Sequence, residues 1–410
     1  MQRIWPWFRT SRWPRLTAGW RDSQRHLLIG CALGLLAGCA GPGLRLNPLP
    51  AALETQAEIP GIPGARYWSD QKPEGFGRWL ALPDGELRER YGGIMDRAHN
   101  YLVISGGGED GAFGAGLLVG WSAAGTRPEF QVVTGVSTGA LIAPFAFLGS
   151  SYDKQLQQVY TRYSSADLIE VRNIFSILSG DAAADTVPLQ RLLERYIDDQ
   201  VVAAIAAEGR RGRSLLVGTT NLDAGRPVTW DLTRIAASGS PDAKRLIQRV
   251  ILASASIPGA FPPVVIDVEA NGQRFQELHV DGGVTSQLFL SPSGIDWGRV
   301  TERLGVVGKP QIYLIRNAKL TPTWEAVPQR LLPILARTVS TLIRTQGVGD
   351  LAQIYILAKR DGLSYNLAWI PPNFTDTPKE AFDRDYMRKL FALGYDLAAK
   401  GYPWLREVVW

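Results

Sequence analysis

Residues 130–145 read FQVVTGVSTGALIAPF. The first seven, FQVVTGV, have the length and β-branched content of a buried strand. The residues from about 138 to 148 have the apolar content of a buried helix. A strand that turns through Gly-x-Ser-x-Gly into a helix projects the serine hydroxyl from the carboxyl end of a sheet. Only small neighbours fit such a strained corner, which accounts for Gly135 and Gly139. The helix also turns its positive N-terminal end toward Ser137. The same serine fits an ordinary helix N-cap as well.

Working outward, the same grammar recurs. YLVIS (101–105) is a short, fully apolar strand, GGGEDG (106–111) a glycine-rich turn, and the stretch up to Gly125 a helix. Strand, glycine turn and helix, repeated, predict parallel strands with crossover helices, an α/β fold. Further elements are expected as helices at 84–91, 152–162, 188–206 and 242–254. Strands are expected at 213–222, 226–232, 276–283, 310–317 and 363–370. A helical stretch at 328–359 contains Gly347 and Gly349, which suggest a break into two helices. A helix at 378–399 closes the pattern. No internal repeat is present, and no linker divides the span from about 100 to 405.

The net charge of +5 belongs to one end of the chain. Residues 1–38 hold six arginines and one acid, Asp22, whereas the remainder carries 38 basic and 38 acidic residues. A neutral body gives no support for nucleic-acid binding. The arginine-rich start leads into HLLIGCALGLLAGC, whose apolar run is short for a membrane span but suits a secretory segment. Its end, LAGC, resembles the bacterial lipobox. That resemblance implies a signal peptide over 1–38 and a diacylated Cys39 as membrane anchor. By analogy with lipoprotein sorting, Ala40 after it points to the outer membrane of a bacterial envelope. The other cysteine, Cys31, would be removed, so the mature chain offers neither a cysteine nucleophile nor a cysteine-built metal site. Residues 40–64 are rich in Pro and Gly and read as a tether, with 39–98 as tether and lead-in.

The GGGEDG turn allows two readings. Glycines there let backbone N–H groups approach a developing oxyanion. The letters also match a dinucleotide-binding loop. Glu109 and Asp110 would repel a pyrophosphate, and the stretch 130–133 lacks the acidic residue that a ribose contact needs. The hydrolytic reading needs a base for Ser137. The chain has three histidines: His26 in the leader, His99 before the first strand, and His279 inside a strand. Asp281, two residues on, ends that strand in VDGG. His279 and Asp281 share a face, about 7 Å apart along the strand. Asp281 lies nearer its end, and a partly desolvated carboxylate within reach can act as base. His279 also fits a satisfied core histidine.

These three pieces, in this order, resemble the patatin-like phospholipase family. In that family's terms Gly106, Gly107, Gly108 and Gly111 belong to the oxyanion loop and Ser137 is the nucleophile, with Gly135 and Gly139 flanking it. Asp281 would be the base of a Ser-Asp dyad, followed by the turn glycines Gly282 and Gly283. ILASASIPGAFPPV, before the aspartate, is also similar to the family's segment there. The resemblance covers about 100–290. It implies a three-layer α/β/α fold with a mostly parallel central sheet in a domain over 99–290, followed by a C-terminal α/β extension over 291–410. It also implies hydrolysis of lipid esters without metal or organic cofactor. Asp110 stands where the family often carries Lys or Arg, which leaves the substrate headgroup open. Three other readings share the chain: a Ser-His esterase, an acyltransferase using the same serine, and a non-catalytic lipid-binding envelope lipoprotein. Oligomeric state is not legible.

Overall fold

A computed structural model of the chain describes residues 45–171, 182, 184–322, 324 and 326–408. The leader, Cys31, Cys39 and His26 lie outside the described residues. Nine strands form one sheet: β1 Arg66–Trp68, β2 Asn100–Ile104, β3 Val132–Val136, β4 Ser214–Asn221, β5 Arg226–Asp231, β6 Val264–Ala270, β7 Gln273–Asp281, β8 Gln311–Arg316 and β9 Ser364–Trp369. Their spatial order is β1-β5-β4-β3-β2-β8-β9, with the β6–β7 hairpin joined to β4 through β7. The pairs from β4 through β3, β2 and β8 to β9 are parallel, as the repeated strand–helix grammar requires. β1, β5 and β7 join antiparallel at the other side.

Five helices position the functional residues: α1 Gly111–Ala123, α2 Thr138–Leu148, α3 Ala243–Ser254, α4 Leu331–Arg360 and α5 Arg384–Ala399. Alternation along the central strands feeds two cores. Leu102 and Ile104 of β2, with Ile315 of β8 and Ala368 of β9, pack in the core that includes α1, α2, α3 and α5. Tyr101, Val103, Ile312, Leu314, Tyr365 and Leu367 pack on the opposite face with Trp297 and with Leu351, Ile354 and Ala358 of α4. The sheet is therefore the middle layer of three. The segment 291–410 supplies β8 and β9, so it completes the sheet beside β2. α1 and α5 cross at backbone contact: a Cβ on Gly116 would sit 2.0 Å from the Phe391 carbonyl oxygen. The apolar run of α1 is internal, with Phe113, Leu117 and Leu118 fully buried.

Several local expectations differ from the structure. The helix expected at 188–206 is two, Val187–Tyr196 and Asp199–Arg210, separated where the Asp198 side chain caps the second by accepting from the Val201 N–H at 2.9 Å. α4 runs through both Gly347 and Gly349 without a break. Gly347 faces buried Arg316, whose guanidinium would lie 2.0 Å from a Cβ there. Packing on the sheet thus outweighs the roughly 1 kcal/mol that glycine costs a helix. β1 and β6 were not expected as strands. Residues 46–64, expected as a tether, fold onto the β6–β7 hairpin. Leu49 N–H donates to the Gln276 carbonyl at 3.1 Å, Glu58 N–H to the Glu269 carbonyl at 3.0 Å, and Ile59 and Ile62 are buried.

Candidate active site

β3 ends at Val136 and α2 begins at Thr138, so Ser137 occupies the corner between them. Its backbone is held at φ 55°, ψ −123°, a region that costs a non-glycine residue on the order of 1–3 kcal/mol. The corner is fixed from two sides. The Ser137 N–H donates to Ser254 Oγ at 2.9 Å, and that hydroxyl donates to the Gly218 carbonyl at 2.6 Å. Gly135 and Gly139 close the turn, since a Cβ on Gly135 would lie 2.3 Å from the Gly139 carbonyl oxygen. The Ser137 side chain makes no capping hydrogen bond to α2. It is therefore not the ordinary N-cap that the sequence also allowed.

β7 brings the carboxylate. It runs antiparallel to β4, with Asp281 opposite Thr219, while Val136 lies opposite Gly218 on the other side of β4. Asp281 and Ser137 therefore meet across the end of β4. Asp281 is 2% exposed. Its Oδ1 accepts the Gly283 N–H at 2.7 Å, as the first residue of the Gly282–Val284 turn follows directly. Its Oδ2 has no hydrogen-bond partner within 3.5 Å. Burial raises the Asp281 pKa to about 7, and hydrogen bonding from Ser137 and Gly283 opposes that rise. Oδ2 is thus left without a hydrogen bond on the side chain that meets Ser137 across the end of β4. Apo sites commonly hold such pairs slack.

His279 is used elsewhere. It is fully buried, with Nε2 3.0 Å from Glu277 Oε2 and Nδ1 3.0 Å from Thr219 Oγ1. Trp230 Nε1 donates to the same threonine oxygen at 2.8 Å, and Arg66 pairs with Glu277. Burial lowers the His279 pKa against the pull of Glu277. The neutral ring then donates from Nε2 and accepts at Nδ1. His99 is also buried, bonding Tyr101 and the Ile94 carbonyl at the amino end of the sheet. Both described histidines are therefore satisfied away from Ser137. His279→Ala is expected to lower stability by about 2–4 kcal/mol, through the cavity and the loss of a partner for Glu277. It should leave turnover per folded molecule unchanged. Denaturant unfolding alongside initial rates checks both.

The glycine loop leads from β2 into α1. Gly107 has φ 155° and Gly108 φ 57°, and a Cβ on Gly107 would lie 2.2 Å from the Asn317 carbonyl oxygen. Gly106 adjoins Ser137, whose Cβ lies 3.1 Å from the position of a Cβ on Gly106. Gly111 opens α1 against Thr138. Asn317 ties the loop down. Its Nδ2 donates to the Ser105 carbonyl at 3.0 Å, its Oδ1 accepts the Gly114 N–H at 3.0 Å, and its N–H donates to Ser105 Oγ at 2.8 Å. Asp110, the acidic residue that ends the turn before Gly111, accepts from the Tyr386 hydroxyl of α5 at 2.5 Å. Burial pushes its carboxyl up to about 7, against the pull of that hydrogen bond.

Three residues of this site went unread in the sequence. The Gln287 carboxamide lies between the loop and the base turn: its Oε1 is 2.5 Å from a Cβ position on Gly106, and its Nε2 1.9 Å from one on Gly283. Asp350 of α4 accepts the Gln287 and Leu288 N–H groups at 2.6 and 3.1 Å and so holds that segment. Asn317 is the third; an amide side chain directly after the end of an apolar strand was its available signal. A cleft of about 660 Å³ lies elsewhere, at the amino end of the strands beside Trp68, Trp79 and His99, and no candidate site residue lines it.

Residues 102–292 match the family model described as patatin-like phospholipase, a stretch running from β2 past the Asp281 turn. No curated protein matches the sequence. Among solved structures, the chain is similar to VipD from Legionella pneumophila at 12% identity and a TM-score of 0.37, covering 74% of this chain and 66% of that one. The chain thus spans just under two thirds of that structure's length. That family's chemistry is hydrolysis of lipid acyl groups. On the strength of the family match, the chain carries a domain of the patatin-like phospholipase family over residues 102–292.

Proposed function

We propose that the chain is a serine lipid acyl hydrolase that cleaves carboxylic esters of phospholipids or related lipids, with Ser137 as nucleophile and Asp281 as base. One observation carries this reading: a buried carboxyl with a free Oδ2 beside a strained serine, both at the carboxyl end of the sheet. Asp281 takes the hydroxyl proton as Ser137 Oγ adds to the ester carbonyl. N–H groups of the loop Gly106–Gly108 and Gly111 receive the developing oxyanion, each such donor contributing about 3 kcal/mol to the transition state. Collapse breaks the ester C–O bond. Asp281 returns the proton to the leaving alcohol, and the acyl group stays on Ser137. Asp281 then deprotonates a water that releases the fatty acid and restores the serine. The lipobox-like LAGC supports placing the enzyme on a bacterial envelope membrane through an acylated Cys39.

The test combines trapping with product analysis. A fluorophosphonate is expected to label Ser137, as mapped by peptide mass spectrometry. Phosphatidylcholine, phosphatidylethanolamine and nitrophenyl esters of short and long chains are expected to yield free acid. Folded protein that neither takes the label nor releases acid from any of these would overturn the reading. Transfer of the acyl chain to an added alcohol, with no free acid, would convert it to an acyltransferase.

A further inference from the structure

Gln287 is 5% exposed, and its backbone is fixed by α4, since its N–H donates to Asp350 Oδ2 at 2.6 Å. Nothing polar fixes its side chain. Among the described residues the carboxamide makes no hydrogen bond, although its atoms are not sealed from water. An amide buried without partners opposes folding, and only glycines at 106 and 283 leave room for this one. The carboxamide stands beside both members of the dyad. Oε1 and Ser137 Cβ lie 2.5 and 3.1 Å from the position of a Cβ on Gly106. Nε2 meets the matching position on Gly283, which is 3.0 Å from Asp281 Oδ1. Charge sets the orientation of the amide: its N–H end faces the carboxylate, so its carbonyl end is turned toward the nucleophile. Asp281 Oδ2 is likewise without a partner. Two unpartnered acceptors thus flank the place where an acyl group on Ser137 must be attacked, and a water has two protons to place.

We propose that Gln287 positions the water that releases the acyl group from Ser137. In the acyl-enzyme this water directs one proton at Asp281 Oδ2 and donates the other as a hydrogen bond to Gln287 Oε1. Its oxygen adds to the acyl carbon as Asp281 takes the first proton. The tetrahedral adduct then collapses: the bond between Ser137 Oγ and the acyl carbon breaks, and Asp281 passes its proton to Oγ. The second proton stays on the released acid. Acylation needs no such acceptor, because the serine hydroxyl has one proton and Asp281 takes it. Gln287 therefore acts on the second half of the reaction. It also favours water over an alcohol, whose alkyl group would stand where Oε1 accepts a proton. The proposal rests on the acyl-enzyme reading of Ser137 and Asp281.

Gln287→Met keeps the side-chain length and the backbone bond to Asp350 but offers only a weak sulfur acceptor. Gln287→Ala removes the acceptor outright and relieves the contacts with Gly106 and Gly283, so it serves if the first variant does not fold. With nitrophenyl butyrate in stopped flow, wild type and both variants are expected to release the first equivalent of nitrophenol at the same rate. Deacylation should slow about 10²-fold, the loss expected when a reacting group is no longer held in place. Butyryl-Ser137 should then accumulate as a mass increment on the intact protein. Once deacylation is limiting, kcat and KM fall together and kcat/KM, which reports the steps up to acylation, stays unchanged. Added methanol should take a larger share of the acyl groups in the variants than in wild type. In wild type alone, the ratio of butyrate to methyl butyrate should exceed the ratio of water to methanol in the medium, and a ratio below it would overturn the proposal without any variant. Unchanged deacylation in the variants would overturn it too. So would acylation and deacylation slowed by the same factor, which would make Gln287 a support of the glycine loop. Folded wild type that forms no acyl-enzyme would overturn the hydrolase reading itself, an outcome seen before any variant is compared.

Discussion

Ser137→Ala is expected to reduce ester hydrolysis by about 10⁵–10⁶-fold, to the level that binding and the oxyanion donors sustain alone. A companion substitution separates chemistry from architecture. Ser137 sits at φ 55°, which alanine tolerates no better than serine but glycine adopts freely. Ser137→Gly should therefore be equally inactive yet more stable than Ser137→Ala by about 1 kcal/mol. Thermal unfolding of the two variants in parallel reads that difference. Equal stability would mean that the corner stores no strain, and turnover close to the wild-type rate in either would remove Ser137 from the chemistry. The gain is restricted to glycine because the Ser137 N–H bond to Ser254 and the Gly135–Gly139 contact stay in place in both variants.

The same corner shows what a sequence discloses. GVSTG is legible because its constraints are local: an apolar run, two small residues and a second apolar run fix strand, turn and helix together. The parallel order β4-β3-β2 follows from repeating that unit. Asp281 is legible as a carboxylate at a strand end. Its approach to Ser137 is not, because it depends on β7 entering antiparallel across the end of β4. The hairpin partner β6 was not expected although Asn271-Gly272, both with positive φ, carries a turn signal between two stretches of alternating apolar and polar residues. Gln287 and Asp350 are further out of reach. They are 63 positions apart, and nothing near either one marks it as part of a site until β8 and β9 have brought α4 under the sheet. Gly347 misleads for the same reason: read locally it breaks a helix, and in the fold it makes room for Arg316.

Asp281→Asn is expected to lower kcat by about 10³–10⁴-fold, since the amide keeps the shape of the carboxyl but cannot take a proton. The wild-type pH profile supplies the independent check. With a carboxyl pKa of about 7, kcat/KM should climb through neutral pH as Asp281 ionises and level off above it. Asp110, raised into the same range, is the confounding group, so Asp110→Asn should keep the ascending limb. A limb that vanishes in Asp110→Asn would assign the titration to the glycine loop instead. Stability carries the opposite signature. A carboxyl whose pKa is raised in the folded state favours folding fully at pH below the unfolded value of about 4, and that contribution fades as pH rises toward 7. Asp281→Asn should therefore match wild type in stability near pH 4 and exceed it at pH 7 and above, by at most on the order of 4 kcal/mol. One substitution would then be damaging to activity and favourable to stability. That opposition is what a buried carboxyl with an unsatisfied Oδ2 requires, because the desolvation that makes Asp281 a base at neutral pH is the same desolvation that opposes folding.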